Sequence, residues 1–455
     1  LKKGRQTLTP HPPTLPAAYT SFPVLKAFAQ RMFQFACWLP LIVCSSALDL
    51  GYHSRQRKLA GAADGQLPSD LPGLRTYTLH NFAQDFGRSY VPGTAEWTTR
   101  EQIFRANLDR VLALRSIPSL SWSPGITTFL DYSGPEYSQL LGYRGRRSRS
   151  PASALAPLGR NRTVADLHAA PAGSPQAPAS FFVGAEGPLT SLVRDQGACG
   201  SCWATSATSV LEGHVQNHPE IMKVLSASAG TNPPTLASQV MVSCTPNPEE
   251  CGGTGGCAGA TAELAYDVVK AKGLPLAVVW PYAASSLPCD ESKYMNLKVK
   301  IRDYTVLPKN KLAPLKHAIV TNKAPVVVSV DATNWFMYTS GIFSDNPGNT
   351  PGKGDFIVNH AVTLMGYAEK SASVPMGYWL VKNSWGTSFG EGGYIRVEMK
   401  EDEENHCGWD TDTHIGLACK NDPDKDWVCG TSGILYDSSF PVDPYIEPMA
   451  SVAMR

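Results

Sequence analysis

Residues 196–203 read Gln-Gly-Ala-Cys-Gly-Ser-Cys-Trp and run directly into a stretch of small and apolar residues, 204–215, with the composition of a buried helix. A helix starting at this point places the sulfur of Cys202 at its N-terminus, where the helix dipole favours a thiolate. Cys202 is therefore the first candidate nucleophile. Two cysteines at this spacing can equally form a structural or metal-binding pair, so the rest of the chain has to decide between the two uses.

The cysteine distribution narrows the choice. Of 11 cysteines, two precede residue 45 and nine follow residue 198. Nine is one nucleophile plus eight able to pair, a parity suited to an oxidising compartment. A net charge of +1 over 455 residues gives no electrostatic case for a nucleic-acid partner or a membrane surface. The length leaves room for two or three domains.

Along the chain, Met32 opens an apolar run, residues 33–47, that ends in Ser45-Ser46-Ala47. This has the pattern of a signal peptide, with Met32 as the expected start and residues 1–47 as the signal region; a type II membrane anchor is the alternative. A spacer, 48–74, leads to 75–145, where Glu96, Arg100, Ile103, Phe104, Asn107, Val111 and Arg115 recur at helical spacing. Ile103, Phe104, Val111 and Leu114 form the apolar face of that helix. Residues 146–177 read as a disordered linker. The run Arg144, Arg146, Arg147 and Arg149 precedes the Asn161-Arg162-Thr163 sequon, and a processing site is expected between about Arg147 and Phe181. The main domain is expected over 178–420 and a C-terminal extension over 421–455. Within the main domain, helix-like spacing gives way to strand-like runs at 325–330, 361–364, 378–382 and 394–397. This predicts an α+β fold with a helical lobe, a β-rich lobe and a cleft between them.

Several motifs then converge. Cys199-Gly-Ser-Cys202-Trp203 is a local signature of papain-like cysteine peptidases. Asn359-His360-Ala361-Val362 resembles that family's His-Ala-Val, and Lys382-Asn383-Ser384-Trp385-Gly386 its [KR]-N-S-W-G. Upstream, residues 96–115 resemble the interrupted E-x3-R-x2-[IV]-F-x2-N-x3-I-x3-N motif of cathepsin L-like propeptides, with Val111 and Arg115 as departures. Residues 125–131 resemble the G-x-N-x-F-x-D segment, with Thr127 at the Asn position. On these residues the chain resembles a papain-like cysteine peptidase, a cathepsin L/B-like zymogen. The resemblance implies a papain-like two-lobe fold preceded by a helical inhibitory propeptide, with Asp131 a candidate pH-sensitive latch.

The same resemblance assigns expected roles. Cys202 is the nucleophile, His360 the base, Asn383 the group orienting the imidazole, and Gln196 an oxyanion donor; Trp385 shields the His360–Asn383 pair. Gly259 and Ala260 line the substrate backbone, with Ala260 in place of the family's second Gly, and Asp412 forms the floor of the pocket for the substrate's second residue. Cys199 pairs with Cys257 and Cys244 with Cys289. Cys251, Cys407, Cys419 and Cys429 remain, with three possible pairings. No metal and no cofactor are implied. The expected partners are protein or peptide substrates and the chain's own propeptide acting as an intramolecular inhibitor on a monomer in the secretory pathway, bound for a lysosome, vacuole or the exterior. The expected function is a cysteine endopeptidase. An exopeptidase or transpeptidase using the same site, or a catalytically silent binding homologue, are the alternatives.

Overall fold

The computed structural model describes residues 67–143, 177–184, 187–344 and 356–447. The expected signal region, most of the spacer, and the linker with its basic run and sequon lie outside them. Polar caps start the first helices. Asp70 accepts from Gly73 N at the head of α1 (Leu71–Thr76), and Thr78 with Asn81 closes a capping box on α2 (Leu79–Asp85). Thr94 caps α3 (Ala95–Arg115). Its buried stripe is Phe104, Leu108 and Val111; Ile103 and Leu114, expected on that stripe, are only half-buried. The upstream segment continues through β1 (Trp122–Pro124) and α4 (Gly134–Ser138), the latter held by a second capping box between Ser133 and Glu136.

After β2 (Ser180–Phe182), four helices build the first lobe: α5 (Cys202–Gln216), α6 (Pro219–Ala229), α7 (Ser238–Cys244) and α8 (Ala262–Ala271). Every residue of α5 from Cys202 to Val215 is buried. Two of its threonine hydroxyls are satisfied by bonding back along the helix, Thr205 to Ser201 O and Thr208 to Ala204 O. The chain then supplies β3 (Leu274–Pro275), β4 (Lys298–Val306), α9 (Leu312–Asn322), β5 (Val326–Val330) and β6 (Tyr338–Phe343). It continues with β7 (His360–Ala368), β8 (Tyr378–Lys382), β9 (Tyr394–Glu398), β10 (Cys407–Asp410), β11 (Asp426–Cys429) and β12 (Asp437–Glu447).

Ten of these strands form one sheet in the order β1-β6-β9-β8-β7-β5-β12-β4-β3, with β2 added on β7. All nine residues of β7 are buried, because α5 packs against it; this is why the sequence there reads as a continuous apolar run instead of an alternation. The segment Phe181-Phe182-Val183 enters the domain as β2, pairing Phe181 with Tyr367. The upstream part docks partly by strand addition, β1 lying antiparallel to β6.

Of the stretch expected as a C-terminal extension, 421–455, the described part, 421–447, is built into the domain. Residues 437–447 are β12, which lies between β5 and β4 with Asp437 opposite Ser329 and Ser439 opposite both Val327 and Val306. The structure thus carries the β-rich lobe past residue 420. A short separate hairpin, β10 with β11, precedes β12 and is closed by the Cys407–Cys429 disulfide. Three further disulfides join Cys199 to Cys257, Cys244 to Cys289 and Cys251 to Cys419.

Removing a strand from within a sheet leaves two rows of backbone groups unpaired. A chain ending at residue 436 is therefore expected to lose cooperative thermal unfolding, as followed by circular dichroism. A truncated chain that unfolds cooperatively near the full chain's Tm would contradict the structural role of β12.

Candidate active site

Three elements converge on Cys202. It is the first residue of α5 and is fully buried. The backbone N–H of Ala361, second residue of β7, donates to its Sγ at 3.3 Å. His360 begins β7, and its Nε2 lies 2.8 Å from Asn383 Oδ1. The Ser384 backbone N–H also donates to that oxygen, at 2.8 Å. An oxygen receiving both bonds requires the proton of His360 on Nε2. Nδ1 is left buried and without a hydrogen bond. Trp385 stacks on the imidazole with ring centroids 4.8 Å apart. Burial pushes the His360 imidazole down to about 4, against a smaller upward pull from Asn383.

Gln196 is oriented from both ends. Its Oε1 accepts from Ser384 Oγ at 2.5 Å, which turns Nε2 the other way, toward Leu140 O and Cys199 O, each at 2.8 Å. Its backbone is tied down as well, its N–H donating to Ser384 O and its carbonyl accepting from Tyr282 Oη at 2.8 Å.

Leu140 belongs to the upstream segment, which lies across this site. A Cβ built on Gly142 would stand 2.3 Å from Cys202 Sγ and 2.7 Å from Gly200 O, so only glycine fits over the sulfur. Gly259 meets the same backbone; a Cβ there would be 2.1 Å from Gly142 O. Tyr143 N donates to Asn359 O at 3.1 Å, and its phenol oxygen is 2.9 Å from Ser329 Oγ. Phe129 and Tyr137 set ring edges against Trp385 at 5.4 and 5.7 Å. The segment is anchored by Gly125 N to Met337 O, Thr127 Oγ1 to Phe336 O and Tyr137 Oη to Ala332 O. Its own fold rests on two ion pairs, Arg88 with the fully buried Asp131, which also accepts from Tyr90 Oη, and Arg100 with Glu136.

Of the residues expected to bind substrate, Trp385 and Gly259 lie in this cluster. Ala260 is fully buried next to Gly259. Asp412 is elsewhere: it heads a turn after β10, with its N–H on Asp410 Oδ1. A cavity of about 440 Å³ at the border between the upstream segment and the cleft is lined by Phe336, Asn359 and Ile415 among others, not by Asp412. The acid beside the cleft is Asp437, whose Oδ2 accepts from Ser329 Oγ at 2.6 Å. Asp412 comes five residues after Cys407, whereas Asp437 comes eight after Cys429, so the expected spacing does not lead to it. Gly142, Tyr143, Ser329 and Asp437 carry no recognisable sequence pattern of their own. Among the described residues no cluster of metal-ligating side chains is present.

Residues 177–417 match the family described as papain family cysteine protease. The senescence-specific cysteine protease of Arabidopsis thaliana is 28% identical over 326 residues, 71% of this chain and 84% of that one. Cathepsin S of Mus musculus is 36% identical over 219 residues, covering 48% of this chain and 57% of its own. Among solved structures, a recombinant stem bromelain precursor superposes with a TM-score of 0.55 at 25% identity, over 80% of this chain and 97% of its own. Procathepsin L 3 from the larval midgut of Tenebrio molitor does so with a TM-score of 0.54 at 24% identity, over 80% and 97% respectively. Both matches extend beyond the family region.

The contact at Gly142 makes a direct prediction. Forcing a methyl group into a packed site costs about 1–3 kcal/mol, so Gly142→Ala should make Cys202 in the uncleaved chain at least about fivefold faster to alkylate with iodoacetamide. An unchanged rate would mean that Gly142 does not cover the sulfur.

Proposed function

The chain belongs to the papain family of cysteine proteases, and from that membership we propose that it is a cysteine endopeptidase made as a latent zymogen, with residues 75–143 as its inhibitory propeptide. The observation that carries this reading is one juxtaposition. A carbonyl of the upstream segment, Leu140 O, sits on Gln196 Nε2 while Gly142 lies on Cys202.

Once that segment leaves, His360 Nδ1 takes the thiol proton of Cys202, and the thiolate attacks a peptide carbonyl. The oxyanion is received by Gln196 Nε2, already aimed by Ser384, and by the Cys202 backbone N–H at the start of α5. His360 then protonates the leaving amine and, in the second half, activates the water that releases the acyl group. Asn383 holds the imidazole with Nε2–H inward, so that Nδ1 is always the nitrogen that works. The four disulfides among the described residues suit a secretory route.

Latency has one physical basis. In the covered site burial holds His360 at about 4, below its ordinary value of about 6.5, so at neutral pH the imidazole is uncharged and offers Cys202 no counter-ion. Uncovering lets the pair form by moving the thiol proton to Nδ1, which takes up no proton from solvent, so this pair gives the cover no pH dependence in mild acid. The Arg100–Glu136 pair gives none either: its hydrogen bonds draw Glu136 down to about 2, so it stays ionised throughout mild acid.

Cys202→Ala should abolish both peptide hydrolysis and labelling by a thiol-reactive peptide epoxide, whereas hydrolysis persisting in this variant would contradict the catalytic assignment.

A further inference from the structure

We infer that Tyr282 is a positioning residue for the oxyanion: its phenol oxygen clamps the loop 196–201 at both ends and so fixes the spacing between the Gln196 side-chain amide and the Cys202 backbone N–H. The inference rests on the proposed endopeptidase reading, in which those two groups receive the oxyanion.

Tyr282 lies in the irregular stretch between β3 and β4, and two ties hold that stretch to α7. The fully buried Gln239 accepts from Ala283 N at 2.8 Å and donates to Ser285 O at 2.9 Å, and Cys289 is bonded to Cys244 at the end of the same helix. The backbone that follows Tyr282 is thus fixed to the helical lobe. The loop 196–201 packs against it: a Cβ on Gly197 would stand 3.1 Å from Ala284 Cβ.

Proton count sets the direction of the bonds at the phenol. Tyr282 Oη lies 2.8 Å from Gln196 O and 2.5 Å from Ser201 Oγ. A carbonyl oxygen only accepts, so the one phenol proton goes to Gln196 O and the Ser201 hydroxyl donates to the phenol. Burial above all pushes the phenol up to about 12, so it keeps that proton at neutral and mildly acidic pH. One oxygen atom therefore joins the residue that carries the first oxyanion donor to the residue that precedes the second.

Ser201 supplies an independent observation. It stands at the N-cap of α5, where a serine oxygen ordinarily accepts from first-turn N–H groups, yet its side chain makes no cap bond. Its hydroxyl is committed to Tyr282 instead. Both partners of the phenol, Gln196 and Ser201, are fully buried, and the loop between them is held by the Cys199–Cys257 disulfide and by Gly200 N on Cys257 O at 3.1 Å. Two donors stabilise one oxyanion only if both already point at the place where the charge develops. Without the phenol hydroxyl, Gln196 O loses its donor and Ser201 is released to turn back onto the helix end.

The test uses the full chain after self-processing and a fluorogenic peptide amide. Tyr282→Phe keeps the ring and removes only the hydroxyl. It should lower kcat at least about fivefold, short of the hundredfold or more that follows loss of a donor outright, with KM within about twofold of the parent. Ser201→Ala breaks the same clamp from its other side and should lower kcat by a similar factor. A merely structural role is separated by the Gln196→Ala background, where Tyr282→Phe should cost less than about twofold because one of the two donors it spaces is gone. An unchanged kcat in Tyr282→Phe, or the same loss with and without the Gln196 amide, would overturn this inference and leave the endopeptidase reading standing. If Tyr282→Phe does not fold, Ser201→Ala in the same two backgrounds decides. No hydrolysis by the parent chain would overturn both.

Discussion

The N-terminus of α5 packs against the start of β7, and this contact brings the sulfur of Cys202 onto the Ala361 N–H. Both elements must be buried for it to exist. The helix can be buried along its whole length because most of its polar side chains find partners, Thr205 and Thr208 on its own carbonyls and Glu212 on Arg194, and the strand because it is mostly apolar after His360. The positions of the other groups follow. His360 precedes Ala361, Asn383 directly follows the neighbouring β8 and reaches the imidazole, and Ser384, one residue later, bonds both Asn383 and Gln196.

The same burial explains how a reactive pair is kept quiet. A charged imidazole next to a thiolate needs solvent or a strong partner, and the covered site has neither to spare for His360. In the proposed zymogen the upstream segment would inhibit by occupying space at Gly142 and by keeping the site in a low-dielectric surrounding. The cover is held mostly by backbone contacts to the β-rich lobe, through β1 on β6 and through Thr127 and Tyr137, so its grip depends on the sheet being complete. That sheet in turn depends on β12, which also carries Asp437 to the edge of the site.

Much of this was legible in the sequence, and the parts that were not share a cause. The long helix upstream and the helix behind Cys202 announce themselves by spacing and composition, and the strands at 326–330, 360–368 and 378–382 by apolar runs. These are local signals. The place of β12 is set by pairing with strands more than 100 residues earlier, and local pattern does not show which strands a segment will join. The expected spacing after Cys407 leads to Asp412 and gives no pointer to Asp437, which the pairing of β12 with β5 sets opposite Ser329. Gly142 and Tyr143 carry no motif because their roles are defined by what they touch across the cleft.

The central claim is that covering the site suppresses the thiolate of Cys202 and uncovering it restores the ion pair. Thiolate ultraviolet absorption, measured against Cys202→Ala as a function of pH in the intact and the processed chain, tests it most directly. The account predicts no thiolate signal from Cys202 at neutral pH in the intact chain. After processing, the signal should appear with a thiol pKa well below the free value of about 8.5. The same titration curve in both forms would contradict it.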